Sequence, residues 1–287
     1  MLYGHLSALF CILVWSTTYI STKVLLEVLS PLQILVIRFV IGVALLYVIY
    51  PKRMKFQGKN ELYFLGCGFF GVFLYYMCDN FALTYTMASN IGVIMSTAPF
   101  FTAIAMKIFY RDEEKLGRFF YLGFVLAMIG ISLISFNGSK LSVNPFGDFL
   151  GILGAASWAM YSVFLKKVNA LGTNTIANTR RINSYGLLFM IPMFLYLNHG
   201  EIPFAAMLAP KVAANLIFLS LIASAICFVA WNWASIKIGI MATSIYIYLG
   251  PVITVVASYF LIHEPLTKMT IAGTFLTLIG LFLSEKK

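Results

Sequence analysis

Apolar stretches of about twenty residues, the length that carries a helix across a bilayer core of ~30 Å, alternate along this chain with short segments rich in proline, glycine and basic residues. The pattern predicts ten membrane-spanning helices at roughly 5–25, 31–50, 62–84, 88–109, 118–136, 147–166, 175–197, 211–233, 241–262 and 268–284. Pro31, Pro51, Pro145 and the Gly200 to Pro210 stretch punctuate the connectors, where water can satisfy freed backbone groups.

The pattern is also periodic on a larger scale. Gly4, Trp15, Lys23 and Arg38 return 143 residues later as Gly147, Trp158, Lys166 and Arg181. Asn80, Ala82, Pro99 and Thr102 return 152 later as Asn232, Ala234, Pro251 and Thr254, and Glu114, Leu116, Gly123 and Gly130 return 150 later as Glu264, Leu266, Gly273 and Gly280. The chain is a tandem duplication of residues 1–140 and 141–287, with small insertions between the anchors. Five spans per repeat is an odd number, so the second copy is expected to enter the bilayer from the opposite side. Inverted repeats of this kind build alternating-access transporters.

Composition agrees with the spans: 61% of residues are hydrophobic and only 10% charged, far outside the soluble range. With an inner amino terminus, thirteen basic residues fall in cytoplasmic segments, among them Lys52, Arg53, Lys55, Lys107, Arg118 and Lys237, against four outside, Lys23, Lys140, Lys211 and Lys268. Both termini are therefore expected in the cytoplasm of a cell-membrane protein. The net charge of +10 then faces anionic headgroups rather than nucleic acid. The first apolar run is long enough to span and has no basic cluster before it, so no cleaved signal peptide is expected. Cys11, Cys67, Cys78 and Cys227 lie in apolar runs without metal-site spacing, which predicts small core residues, no metal and no cofactor.

A tryptophan inside span one, the Ala82-Leu83-Thr84-Tyr85-Thr86-Met87-Ala88-Ser89-Asn90 junction, Pro99, an acidic residue after span four and Gly123 with Gly130 form a recognisable set. Trp158, Asn232, Pro251, His263-Glu264-Pro265-Leu266 and Gly273 with Gly280 repeat it. The chain resembles the EamA family of the drug/metabolite transporter superfamily over nearly its full length. The resemblance implies an all-α membrane fold of ten helices in two inverted five-helix repeats, a central cavity, and movement of small metabolites, often outward as in amino-acid export. Span one carries no acid between His5 and Lys23, where the small multidrug-resistance relatives place an exchange carboxylate.

Asp79 is the one carboxylate well away from a span end, about 25 Å along span three at 1.5 Å per residue. An ionised acid in hydrocarbon must face water or a partner, so Asp79 is a counter-ion for a substrate ammonium, a proton site, or the partner of Arg38. Arg38 and Arg181 occupy equivalent places in spans two and seven, and either bind a substrate carboxylate in two-point fashion or bond carbonyls at helix ends. Arg180 is expected at the interface. Pro99 and Pro251 free the carbonyls of Met95 and Ile247 and predict kinks that serve as hinges.

Aromatic and amide residues collect near those breaks. Trp15, Tyr19, Trp158, Tyr161, Asn80, Asn232, Tyr246 and Tyr248 are candidate cavity walls, whereas Trp231 and Trp233 are expected in an interfacial belt. Ser16, Thr17, Thr18, Ser89, Asn90, Ser96 and Ala98 permit close helix approach or a polar path. These features predict a secondary transporter of a small polar or amphipathic metabolite such as an amino acid or amine, with a small molecule and the lipid bilayer as its partners. A channel would need a continuous pore with a repeated filter, and no such motif is visible. Metal, nucleophile and ATP-binding motifs are also missing from the sequence, which disfavours an intramembrane enzyme or direct ATP drive.

Overall fold

Pro31 and Pro145 each open a helix behind a polar cap. Ser30 Oγ accepts from the Gln33 amide at 3.2 Å while the Gln33 side chain accepts from the Ser30 amide at 2.9 Å, and Asn144 Oδ1 accepts from the Phe146 and Gly147 amides at 3.1 Å. Proline at the first helical position lacks only an amide that would be unpaired anyway. In this computed structural model, residues 1–85, 88–110, 117–135, 144–197, 202–253, 256 and 267–285 are described. Among these the regular structure is helical, with no strand. Thr86, Met87, Glu114, Leu116, Thr254 and His263 to Leu266, with the end of the ninth expected span, lie outside the described residues, as do the side chains of Ser89 and Asn90.

The helices are α1 (Leu2–Leu26), α2 (Pro31–Ile49), α3 (Gly58–Tyr85), α4 in two pieces (Ala88–Met95 and Ala98–Phe109), α5 (Arg118–Ser135), α6 (Pro145–Ala170), α7 (Thr175–Leu197), α8 (Pro210–Ile238), α9 (Ile240–Ile253) and α10 (Lys268–Glu285). Among the described residues, six stretches are long and apolar enough to cross a membrane: α1, α2, α3, Ile91–Phe109 within α4, α6 and α8. Shorter apolar helices cover Arg118–Ile134, Ile240–Ile253 and Lys268–Ser284. Several helices outrun their expected ends. α6 continues to Ala170 and α8 to Ile238, and the ammonium groups of Lys166, Lys167 and Lys237 in these extensions lie over aromatic rings, the first two at Tyr110 and the third at Trp233.

Two irregularities recur at matched places. Gly68–Leu74 in α3 and Phe218–Ile226 in α8 are π-helical, a rare geometry often associated with function. Nothing in the apolar pattern anticipates it. The second irregularity is the broken pair. α4 parts at Ser96 and Thr97, while α9 passes through a 3-10 turn at Tyr246–Tyr248.

Packing crosses between the halves reciprocally. α3 rests on α6 and α7, α8 rests on α1 and α2, and α5 lies against α10. Lipid tails are as apolar as the helices, so association depends on close packing rather than on exclusion of water. Small residues stand at the crossings accordingly. A Cβ on Gly42 of α2 would lie 3.0 Å from the Ser220 carbonyl oxygen of α8, and one on Gly186 of α7 would lie 3.1 Å from the Gly68 carbonyl oxygen of α3. Gly123 and Gly130 of α5 likewise meet the backbones of Gly280 and Gly273 of α10.

Candidate functional site

Where α1, α3, α6 and α8 converge, three indoles meet. Trp15 lies 5.7 Å edge-on from Trp158 and 5.1 Å from Trp231, and Trp158 lies 5.9 Å from Trp231. The expectation of an interfacial Trp231 is corrected: α8 runs on past it, and the side chain is buried in this cluster. Trp233 is half-buried, with the Lys237 ammonium 5.5 Å from its ring. Along one face of α1, Ser7, Cys11 and Trp15 donate in turn to the carbonyls of Ala230, Cys227 and Ala223 at 2.9, 3.3 and 3.0 Å. The four-residue spacing brings all three donors onto α8.

Beside the indoles stands a charged layer. Asp79 of α3 is buried, and its Oδ1 has no hydrogen-bond partner; the adjacent Asn80 is buried with Nδ2 unpaired. Tyr75 and Tyr76 sit one turn earlier on the same helix, and Tyr75 packs 5.0 Å from Trp158. From α2, the Arg38 guanidinium lies 4.6 Å over the Tyr76 ring and 5.5 Å from that of Phe39. Its Nε donates to Ser224 Oγ at 2.7 Å, while Nη2 is buried and unpaired. Arg38 thus overlies the tyrosine one turn before Asp79, yet Arg38 and Asp79 form no ion pair. Where both partners are described, the ion pair present joins Arg181 to Glu61. A buried charged group with an unmet hydrogen bond costs about 1–3 kcal/mol or more, so two in one layer need a reason.

The other expected residues divide among several places. Tyr161 donates to Asn232 Oδ1, and Asn232 Nδ2 donates to Thr179 Oγ1 at 2.9 Å, so both polar ends of Asn232 are engaged. Tyr19 is half-buried against the central core. Tyr246 hydroxyl and His5 Nδ1 are 2.8 Å apart. Tyr248 turns the other way, buried among Phe120, Ala127 and Ile131 with its hydroxyl unpaired. Arg181 donates to the carbonyls of Met54 and Lys55 and to Glu61. Arg180 is buried rather than interfacial: it donates to the Tyr50 and Lys52 carbonyls and lies 4.2 Å over the Tyr47 ring. The chain turning back between α2 and α3 leaves carbonyls that only a long forked donor can reach.

Pro99 stands in the first turn of the second piece of α4, just after the break, and Pro251 follows the 3-10 turn of α9. The hydroxyls of Ser16, Thr17, Thr18 and Ser96 bond back to carbonyls of their own helices at 2.7 Å, which leaves them little polarity for a path. A cavity of about 740 Å³ opens between α2, α7 and α8, lined by Leu46, Ile49, Thr173, Asn174, Ile226 and Trp233 among others. It contains none of the candidate residues.

Tyr75, Tyr76, Phe39 and Ser224 were not anticipated. For the tyrosines a signal was present, since they lie three and four residues before Asp79 and so share its helix face. Ser224 and Phe39 reach the site only through tertiary packing.

This arrangement of two matched halves around a buried polar centre has relatives. The profile of the EamA-like transporter family matches residues 2–136 and 145–285. The chain belongs to this family. A protein of Archaeoglobus fulgidus, described as an uncharacterized transporter, is 26% identical over 99% of this chain and 97% of its own length. The Escherichia coli K12 protein YedA, described as an uncharacterized inner membrane transporter, is 26% identical over 93% of this chain and 85% of its own. A crystal structure sharing 16% identity superposes with a TM-score of 0.79 over 98% of this chain and 97% of that one, and shows the same fold. This EamA-like chain is a multi-pass membrane protein with a transporter's architecture.

Proposed function

We propose that this protein is a secondary carrier of small zwitterionic or cationic metabolites, amino acids and related amines, working by alternating access and moving its substrate outward. Its carrying observation is the pair Arg38 and Asp79, both buried, the first lying over the ring of Tyr76 and the second one turn beyond Tyr76 on the same helix, each with an unmet hydrogen bond and neither satisfying the other. A zwitterion supplies what both lack: its carboxylate accepts from Arg38 Nη2, and its ammonium donates to Asp79 Oδ1. Tyr76, Tyr75 and Trp158 supply aromatic faces suited to the cation and to an apolar side chain. Asp79 is also the carboxylate in this layer through which a proton could be exchanged for substrate.

Ten spans in two inverted repeats, 1–140 and 141–287, with both termini cytoplasmic, complete this reading. The reciprocal crossings of Gly42 and Gly186 and the matched π-helical segments support it, because an exchange of conformations between equivalent halves is what alternating access requires. Pro99 and Pro251, at matched breaks, serve as hinges. The three indoles packed against one another between the halves argue against a channel, which needs a continuous polar pore.

Counterflow in proteoliposomes tests the carrier. Vesicles preloaded with unlabelled amino acid should accumulate labelled amino acid transiently above equilibrium. Uptake that only equilibrates, without overshoot, would identify a channel.

A further inference from the structure

Trp15 and Trp158 hold equivalent places, since 158 − 15 is 143, the spacing that also relates Arg38 to Arg181. Their indole N–H groups nevertheless have different fates. Trp15 Nε1 donates to the Ala223 carbonyl at 3.0 Å. Trp158 is only 4% exposed, and its Nε1 donates to nothing. The first-half counterpart of Ala223 is Gly71, because 223 − 71 is 152, the spacing that relates Asn80 to Asn232.

Both carbonyls lie inside the π-helical segments, where the displaced ladder leaves carbonyls available to neighbours. The surroundings of Gly71 are close to an acceptor site already. Ser157 Oγ, next to Trp158, donates to the Phe70 carbonyl at 2.7 Å, and the Tyr161 ring lies so close over Gly71 that a Cβ there would overlap it. The two indoles touch edge to face, so a shift of one changes the packing of the other.

We propose that Trp158 is a positioning residue of the transport cycle: in the opposite-facing state its indole N–H takes the Gly71 carbonyl while Trp15 releases Ala223. This rests on the alternating-access reading above. In an inverted repeat the second state follows from exchanging the conformations of the halves, so a bond made by one half here is made by the other half there. One indole is bonded and one unbonded in either state, which keeps the two close in energy.

Native cysteines report the exchange. Cys11 and Cys227 lie at the α1–α8 contact that Trp15 closes, and Cys67 and Cys78 lie on α3 against α6, beside Tyr161 and Gly154. All four are buried. The full chain in lipid nanodiscs is labelled with N-ethylmaleimide, without substrate, and site-specific rates are read by mass spectrometry. Trp15→Phe keeps an aromatic ring but removes the N–H, and should raise the ratio of Cys11 and Cys227 rates to Cys67 and Cys78 rates at least threefold. Trp158→Phe added to it weakens the opposite state equally and should return the ratio to the wild-type value. A ratio unchanged in Trp15→Phe, including a uniform rise at all four sites from loosened packing, overturns the proposal, as does a ratio that stays raised in the double variant. Should the ratio move and return while counterflow is absent, the carrier reading fails and the exchange of the two indoles stands.

Discussion

Gly42 and Gly186 stand at matching crossings in opposite halves of the molecule: each presents a bare backbone to a π-helical segment, with a Cβ position 3.0 Å from the Ser220 carbonyl oxygen in one case and, in the other, 3.1 Å from that of Gly68 and closer still to the Val72 side chain. An added methyl must push against backbone at both positions, and at Gly186 it must also displace the packed Val72 side chain. We expect Gly42→Ala and Gly186→Ala each to destabilise the protein by about 1–3 kcal/mol. Gly92→Ala is the control, since a Cβ there meets nothing within 4 Å and the gain in helix propensity is worth up to ~1 kcal/mol. Apparent melting temperatures in detergent decide; equal effects at the three positions would contradict the packing described.

Glu61 organises the turn between α2 and α3. It accepts from Arg181, from the Gln57 amide at 2.8 Å and from the Tyr185 hydroxyl at 2.8 Å. Glu61→Gln weakens all three and removes the counter-charge of Arg181, whose side chain is 18% exposed, so screening moderates the loss. We expect the melting temperature to fall by roughly 3–6 °C. An unchanged value would show that the Arg181 cluster does not hold the turn.

Much of this was legible in the sequence, for a physical reason. Apolar length and basic asymmetry are properties of a segment with respect to the bilayer, so they survive without tertiary knowledge, and Trp15, Trp158 and Asp79 could be placed in the interior from their positions along a span. The partners of buried polar groups were not legible. Whether Arg38 meets a carbonyl, Ser224 or Asp79 depends on helix rotation, which the uniformly apolar surroundings of α2 do not specify. Trp231 was misplaced for a related reason: the end of a span was taken from composition, whereas α8 continues for five residues beyond that end, to Ile238. The π-helical segments have no signature in apolar spacing.

Pro99 and Pro251 stand just after the breaks in α4 and α9, so replacing either restores a backbone donor without removing a group from the charged layer. Pro99→Ala and Pro251→Ala should insert normally, keep substrate affinity within about twofold, and turn over several times more slowly. Maximal rate and half-saturation are measured together in vesicles. Unchanged rates in both variants would remove the hinge role.

The proposed topology rests on the charge bias and on the five spans expected in each repeat. Reporter fusions at Met1 and Lys287 should both signal from the cytoplasm. A carboxyl terminus on the outer side would be incompatible with two inverted repeats.

The relation of Arg38 to Asp79 carries the functional reading, and substrate selectivity in matched variants tests it most directly. Counterflow is measured with a zwitterionic amino acid and with the amine that lacks its carboxylate, in wild type, Asp79→Asn, Arg38→Gln and the double variant. With the two charges serving substrate rather than each other, Asp79→Asn should abolish transport of both compounds, Arg38→Gln should impair the zwitterion at least tenfold more than the amine, and the double variant should recover neither. Recovery of zwitterion transport in the double variant would show the two charges to be structural partners and would contradict the account.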